Sequence, residues 1–348
     1  MRSEMQGAAA QVLSLDYTRP KNLTRGPKYK RNINILVALT ITVAALSVAY
    51  MFMGLELNNS ALTQYALKLR RPKLVAMLIA AFAIGGATLV FQSIINNTIV
   101  TPCLLGMNSL YSLIHTAVVF FAGTGSVLAT NANLSFGVDV ILMGFIATVV
   151  YSYFFKKTKH NILYVLLIGT VLSSFFGSIQ STLIRVMDPN EFDTIQMQLV
   201  ASFANVNSQI IVLALALLAA VIFFLRKDLT LLDVITLGKD QATNLGVDYD
   251  RTIRRLLVGV ALAIAVATAM VGPISFLGLI IANVARQLLK TFRHKQLILG
   301  SVLIGMLVLI AGQLIVEHVF INAVPISVFI TVGGGLYFLY LILKRKRA

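Results

Sequence analysis

The densest chemistry in this chain is cationic. Lys68, Arg70, Arg71 and Lys73 fall within ALKLRRPKLVAM, residues 66–77. Guanidinium and ammonium groups packed this closely grip carboxylates or phosphates, on a protein partner or on lipid at the membrane surface. A second group, Gln180, Ser181 and Arg185, lies inside an apolar run. An Arg so placed either faces a polar pathway, where it attracts an anion, or snorkels to the surface. Asp188 and Glu191, just beyond, could instead pair with it.

Neither group is catalytic. The chain has no His-Glu-x-x-His, no Gly-x-Ser-x-Gly and no Gly-rich phosphate loop with its Lys. The four histidines, at 115, 160, 294 and 318, are scattered, so no metal site and no cofactor are expected. Cys103 is the single cysteine and sits in apolar sequence, which excludes an internal disulfide and reads as a small buried hydrophobe. The GTGS at Gly123 to Ser126 follows no strand and is not a nucleotide fingerprint.

The elements that carry these residues must live in a membrane. Of 348 residues, 58% are hydrophobic and only 12% charged, with a mean hydropathy of +0.85. A soluble chain carries about 25% charged residues. Runs of about 20 apolar residues recur, as an all-α polytopic membrane protein requires. The net charge of +16 suggests nucleic acid, but the cations are confined to short connectors between apolar runs and read as topology determinants.

Ten transmembrane helices are expected, over 33–55, 73–95, 103–122, 136–155, 161–187, 209–225, 254–271, 276–289, 296–316 and 325–343. With the N-terminus cytoplasmic, 24 of the 29 Lys and Arg lie inside, and an odd count would export the KRKR tail or the large basic loop. Both termini are therefore expected in the cytoplasm. No cleavable leader is evident. The domain reading is a basic cytoplasmic tail over 1–32, a permease domain over 33–343 and a second basic tail over 344–348. Only the Lys68–Lys73 cluster falls outside against the charge rule, where it either snorkels to lipid phosphates or meets an anionic partner. The eighth span is short, and Gly272, Pro273 and Gly278 predict a broken, tightly turned hinge before it. Pro102 to Gly106 before span three suggests an inverted counterpart at the opposite face.

The inside loop 226–255 places Leu231, Leu232, Val234, Ile235, Leu237, Ala242 and Leu245 at helical spacing, with Gly238 and Gly246 as stops. Either the membrane surface or a cytoplasmic partner covers that apolar face.

At VFQSIINNTIVTPCLLGMNSLYS, LGKDQATNLGV, VGPISFLGLIIANVAR and GGGLYFLYLILKRKR the chain resembles the iron-siderophore and cobalamin permeases of ATP-binding-cassette importers, the FecCD family. NNTIVTPCLLGMNSLY and RVMDPNEF look most like the permeases for catecholate-type ferric siderophores. The resemblance implies a type II importer permease fold of ten helices in a bacterial cell membrane. It implies a dimer with a second permease, either the same chain or a sister. Its other partners would be two separate ATPase subunits, an extracytoplasmic substrate-binding protein and membrane lipid. The chain itself would be no enzyme. The cargo would be a ferric siderophore, with heme or cobalamin as the alternative chelates. An ion-coupled secondary transporter is disfavoured by the scarcity of acids in the spans.

The resemblance also assigns residues. Leu237, Gly238, Ala242, Leu245 and Gly246 match ATPase-docking coupling helices. An Arg-x-Pro-Arg pattern that docks the binding protein falls on Arg70, Arg71, Pro72 and Lys73. Departures stand at Ser275, where the family has Gly, and at Ala282-Asn283, where it has Pro-His. Asn97 to Val100 and Gly335 to Phe338 also depart, as does Val316, where an Arg is common.

Overall fold

The computed structural model describes residues 27–54, 60–157, 162–203, 206–321 and 323–345. Most of the expected N-terminal tail, together with Lys159, His160 and residues 346–348, lies outside the described residues. The described residues are helical throughout: α1 (Pro27–Phe52), α2 (Ser60–Ile95), a 3-10 turn (Pro102–Leu105), α3 (Met107–Ala122), α4 (Val127–Thr130), α5 (Ala132–Lys157), α6 (Ile162–Val186), α7 (Pro189–Leu199), α8 (Ser208–Thr230), α9 (Leu232–Ile235), α10 (Lys239–Asn244), α11 (Tyr249–Val271), α12 (Leu277–Leu289), α13 (His294–His318) and α14 (Ile326–Arg345). Helix α1 begins at Pro27, so Lys28, Lys30 and Arg31 belong to it and not to a tail.

Seven helices are long and apolar enough to cross a membrane: α1, α2, α5, α6, α8, α11 and α13. The apolar stretches Met107–Ala122, Leu277–Leu289 and Ile326–Leu341 are shorter. Helix α12, with 13 residues, rises only about 20 Å against a hydrocarbon core of about 30 Å.

Helix α2 is the centre of the bundle, packed against α11, α12, α13 and α8. Lipid tails are as apolar as leucine, so small residues that admit close backbones hold membrane helices together. Helix α2 supplies Ala76, Ala80, Ala81, Gly85 and Ala87, all buried. At Gly85 the Ser301 hydroxyl of α13 donates to the carbonyl at 3.2 Å, and an added Cβ would stand 3.2 Å from the Ser301 carbonyl. Helix α6, in contrast, is mostly exposed, with Leu167, Val171 and Phe175 along one outward stripe.

Two expectations are corrected. The span expected from residue 73 begins earlier; α2 starts at Ser60 and runs 36 residues with Pro72 inside it. Nor do the breaks before spans three and eight stand at opposite faces. Asn108, just after Gly106, donates from Nδ2 to Ser275 Oγ at 2.9 Å, and Asn283 donates to the Thr98 carbonyl at 2.9 Å. The α2–α3 connector therefore lies alongside α12.

Candidate functional site

Three regions hold the residues singled out by sequence, and each is built differently. In the α8–α11 loop, Gly238 (φ +103°) separates α9 from α10 and Gly246 (φ +80°) separates α10 from α11, left-handed positions that favour glycine. Leu232, Ile235 and Ala242 are buried within the chain, while Leu237 and Leu245 are 55% and 63% exposed. The predicted set thus divides. Ala242 is fully enclosed and offers no surface to a partner; it seats α10 on the bundle. Leu237 and Leu245 are the apolar groups left for one.

This loop is tied down by charge. Asp233 Oδ1 accepts from the His294 backbone N–H at 3.0 Å and lies 2.5 Å from the His294 Nδ1, joining α9 to the first residue of α13. Partial burial works to raise the Asp233 carboxyl, but the His294 backbone and ring outweigh it and hold the group below its ordinary value, with Arg293 adding to the effect. The Asp248 carboxylate caps α11 by accepting from the Arg251 N–H at 3.1 Å. Lys239 pairs with Asp250 at 2.8 Å on the surface.

At the other end of the bundle the basic cluster is also divided. Arg70 Nη1 donates to the carbonyls of Tyr50, Met51 and Met53 at 3.0, 3.3 and 2.7 Å, and its guanidinium lies 5.8 Å from the Tyr50 ring centroid. It caps the C-terminus of α1, where carbonyls lack helical partners. Lys73 stands 3.7 Å from Glu317, which also accepts from the Tyr50 hydroxyl at 3.0 Å and from Gln313 Nε2 at 2.9 Å. Arg70 and Lys73 thus lace α1, α2 and α13 together. Arg71 is exposed, with no hydrogen bond or ion pair among the described residues.

On α6, Gln180 is half-buried, and Ser181 and Arg185 are exposed. Neither Asp188 nor Glu191 pairs with Arg185; the Asp188 carboxylate instead caps α7, accepting from the Asn190 N–H at 2.8 Å. Ser174 and Ser178 continue the exposed polar stripe one and two turns below Ser181. Their i, i+4, i+7 and i+11 spacing with Arg185 was the signal that sequence reasoning passed over.

The break before α12 is the most tightly built part. Gly272 has φ +88°, and an added Cβ would lie 2.7 Å from the Ala201 Cα. At Gly278 a Cβ would collide with the Thr88 hydroxyl of α2. Phe276, a non-glycine residue, adopts φ +61°. Beside it runs a polar seam that sequence reasoning did not single out. Thr88, Gln92 and Thr101 are almost wholly buried, and Gln92 Nε2 shares the Thr98 carbonyl with Asn283, donating at 2.8 Å. Across the bundle, buried Asp139 of α5 lies 3.2 Å from His115 of α3. Among the described residues no cluster of His, Cys, Asp and Glu could hold a metal.

Comparison with known proteins places this architecture. A family profile described as the FecCD transport family matches residues 32–344. The petrobactin import system permease protein YclO of Bacillus subtilis (strain 168) is 39% identical over 316 residues, covering 91% of this chain and 98% of YclO. The petrobactin import system permease protein FatC of Bacillus anthracis is 34% identical over 282 residues, covering 80% of this chain and 79% of FatC. Among solved structures, a metal-chelate type ABC transporter in an inward-facing conformation superposes with a TM-score of 0.76 at 22% identity, covering 90% of this chain and 99% of that one.

Proposed function

The chain belongs to the FecCD transport family, and from that premise we propose that it is the permease subunit of an ATP-driven importer of a ferric siderophore in a bacterial cell membrane. The observation that carries this reading is the full-length match to a petrobactin permease, 39% identical across 91% of the chain. Ferric petrobactin is therefore the first cargo to test, ahead of catecholate-type siderophores and of heme or cobalamin.

In this reading all ten apolar helices cross the membrane, with both termini and the 226–255 loop in the cytoplasm. Helix α12 is too short to cross alone, and the bent segment from Gly272 to Phe276 completes its path. Two ATPase subunits dock on Leu237 and Leu245, whose burial by a partner would remove apolar surface from water. The turns at Gly238 and Gly246 hold those leucines outward, with Ala242 as their seat. Motion of the loop reaches α13 through Asp233 and His294. The break at Gly272, Pro273 and Gly278 is where the bundle flexes.

A binding protein delivers the cargo to the opposite face. Arg71 presents a free guanidinium there, suited to a bidentate grip on a carboxylate, while Arg70 and Lys73 hold the platform. The α6 stripe from Ser174 through Gln180 and Ser181 to Arg185 faces a second permease and lines the pathway. Polar groups on an otherwise lipid-facing helix are costly unless they meet water or protein.

The test is reconstitution. The chain, its partner permease, the ATPase and the binding protein are placed in proteoliposomes with iron-labelled ferric petrobactin. ATP-dependent uptake that stops when the binding protein is omitted is the expected result. Uptake without ATP, driven by an ion gradient, overturns the reading.

A further inference from the structure

On the flank of the bundle α2, α8, α11 and α13 leave a shallow groove with a cavity volume of about 90 Å³, open on one side and lined by apolar side chains. Its lining includes Gly86 and Val90 of α2, Ile222 and Leu225 of α8, Gly259 of α11, which packs directly on Leu225, and Ile298 of α13. The groove exists because α2 is small here: a Cβ built on Gly86 meets no atom within 4 Å.

The rim at the α8–α11 loop end is cationic. Arg226 stands four residues beyond Ile222, Arg255 four before Gly259 and Lys295 three before Ile298. Each is one helical turn from a groove-lining residue, on a different helix, and all three are exposed; Arg226 falls between the lining residues Leu225 and Leu229, and Arg255 adjoins Leu256. The Arg226 guanidinium stands over Phe223, 4.6 Å from the ring centroid. Buried Asp228 stands 3.8 Å from Arg255 and offsets one of the three charges, so the rim keeps a net positive charge.

We propose that this groove is a binding site for one anionic phospholipid, its acyl chains along α2 and its phosphate on Arg226, Arg255 and Lys295. An apolar slot with cations at one end matches the two halves of such a molecule, and juxtamembrane cations attract anionic headgroups. The site is separate from the cargo pathway and from the leucines of the coupling loop.

The test counts retained lipid. The full transporter is extracted from membranes holding equal mole fractions of phosphatidylglycerol and phosphatidylcholine, and native mass spectrometry reads the lipids left on each permease. Wild type should retain one phosphatidylglycerol per permease, in at least fivefold excess over phosphatidylcholine. Gly86→Leu, which fills the groove, and the triple variant Arg226→Gln, Arg255→Gln, Lys295→Gln should each abolish that preference. Equal retention of the two lipids by wild type overturns the proposal. Loss in the triple variant but not in Gly86→Leu also overturns it, because the headgroup would then bind without the groove. A Gly86→Cys variant that cross-links to a neighbouring permease would seat a protein there, and that too rules the lipid out.

Discussion

At the residue scale, three neighbouring cations have three different surroundings. Arg70 satisfies three carbonyls at the end of α1, Lys73 faces Glu317, and Arg71 is free at the surface. Hydrogen bonds from a charged donor are worth about 1.5–3 kcal/mol each at most, and their loss here leaves helix-end carbonyls without partners. Arg70→Ala should therefore lower the thermal midpoint of the purified permease, by an amount equivalent to about 2 kcal/mol. Arg71→Glu should leave that midpoint within error, since an exposed substitution moves stability by about 0.5 kcal/mol or less. It should instead slow capture of the binding protein several-fold in low salt, with the difference shrinking as salt rises, because rim charges act mainly on association rate. Stopped-flow capture across a salt series reads this directly. If Arg70→Ala and Arg71→Glu changed stability and capture alike, the division of labour would fail.

At the scale of elements, the α8–α11 loop and the α12 break work by opposite means. The loop presents Leu237 and Leu245 and hides Ala242. Leu245→Asp should leave the permease folded while weakening ATPase capture at least tenfold in a pull-down titration. Ala242→Asp should destabilise the permease itself by several kcal/mol, since an unpaired carboxylate would be enclosed. Equal effects of the two on an otherwise stable permease would mean that the partner contacts a different face. At the break, Ser275 and Asn283 occupy positions where the family pattern has Gly and His; Ser275 bonds to Asn108 in the first turn of α3 and Asn283 to Thr98 of the α2–α3 connector. Removing either partner of the Asn108–Ser275 bond should cost about 1 kcal/mol. A double-mutant cycle of Asn108→Ala with Ser275→Ala should then be non-additive by about that amount. Additive losses would mean that the bond contributes nothing to stability. The α7 helix belongs to this scale too. Its Asp188 cap, Pro189 at the first turn and Glu191 within it are an N-terminal signature written locally in DPNE.

At the scale of the molecule, α6 is the helix that the chain does not cover. It packs on α3 and leaves both an apolar and a polar stripe outside. If two permeases meet along the polar stripe, Ser178→Cys should cross-link to a second copy or to a sister permease carrying the matching cysteine, doubling the apparent mass under mild oxidation. Val212→Cys, exposed on α8, should not. The native Cys103 is buried and gives no background. Cross-linking at Val212 alone would move the dimer seam to α8.

Composition and periodicity alone determined the solvent, the helical class and the place of each apolar run. Those properties depend on local hydropathy and on the cost of an unpaired backbone in lipid, and both act residue by residue. The two glycine stops of the α8–α11 loop were legible for the same reason: a left-handed turn is a local demand. The tertiary structure decided which members of each motif are free. Ala242 and Leu245 look alike in an amphipathic pattern, and only the packing of α10 on the bundle encloses one and exposes the other. Arg70 and Arg71 are adjacent in sequence, yet one meets the end of α1 and the other meets solvent, because α2 extends back to Ser60 and turns them to different sides. The contact between the two helix breaks could not be read from span topology. It depends on how deep the α2–α3 connector lies against α12, which is set by contacts that span 185 and 167 positions of the chain, Asn283 on the Thr98 carbonyl and Asn108 on Ser275.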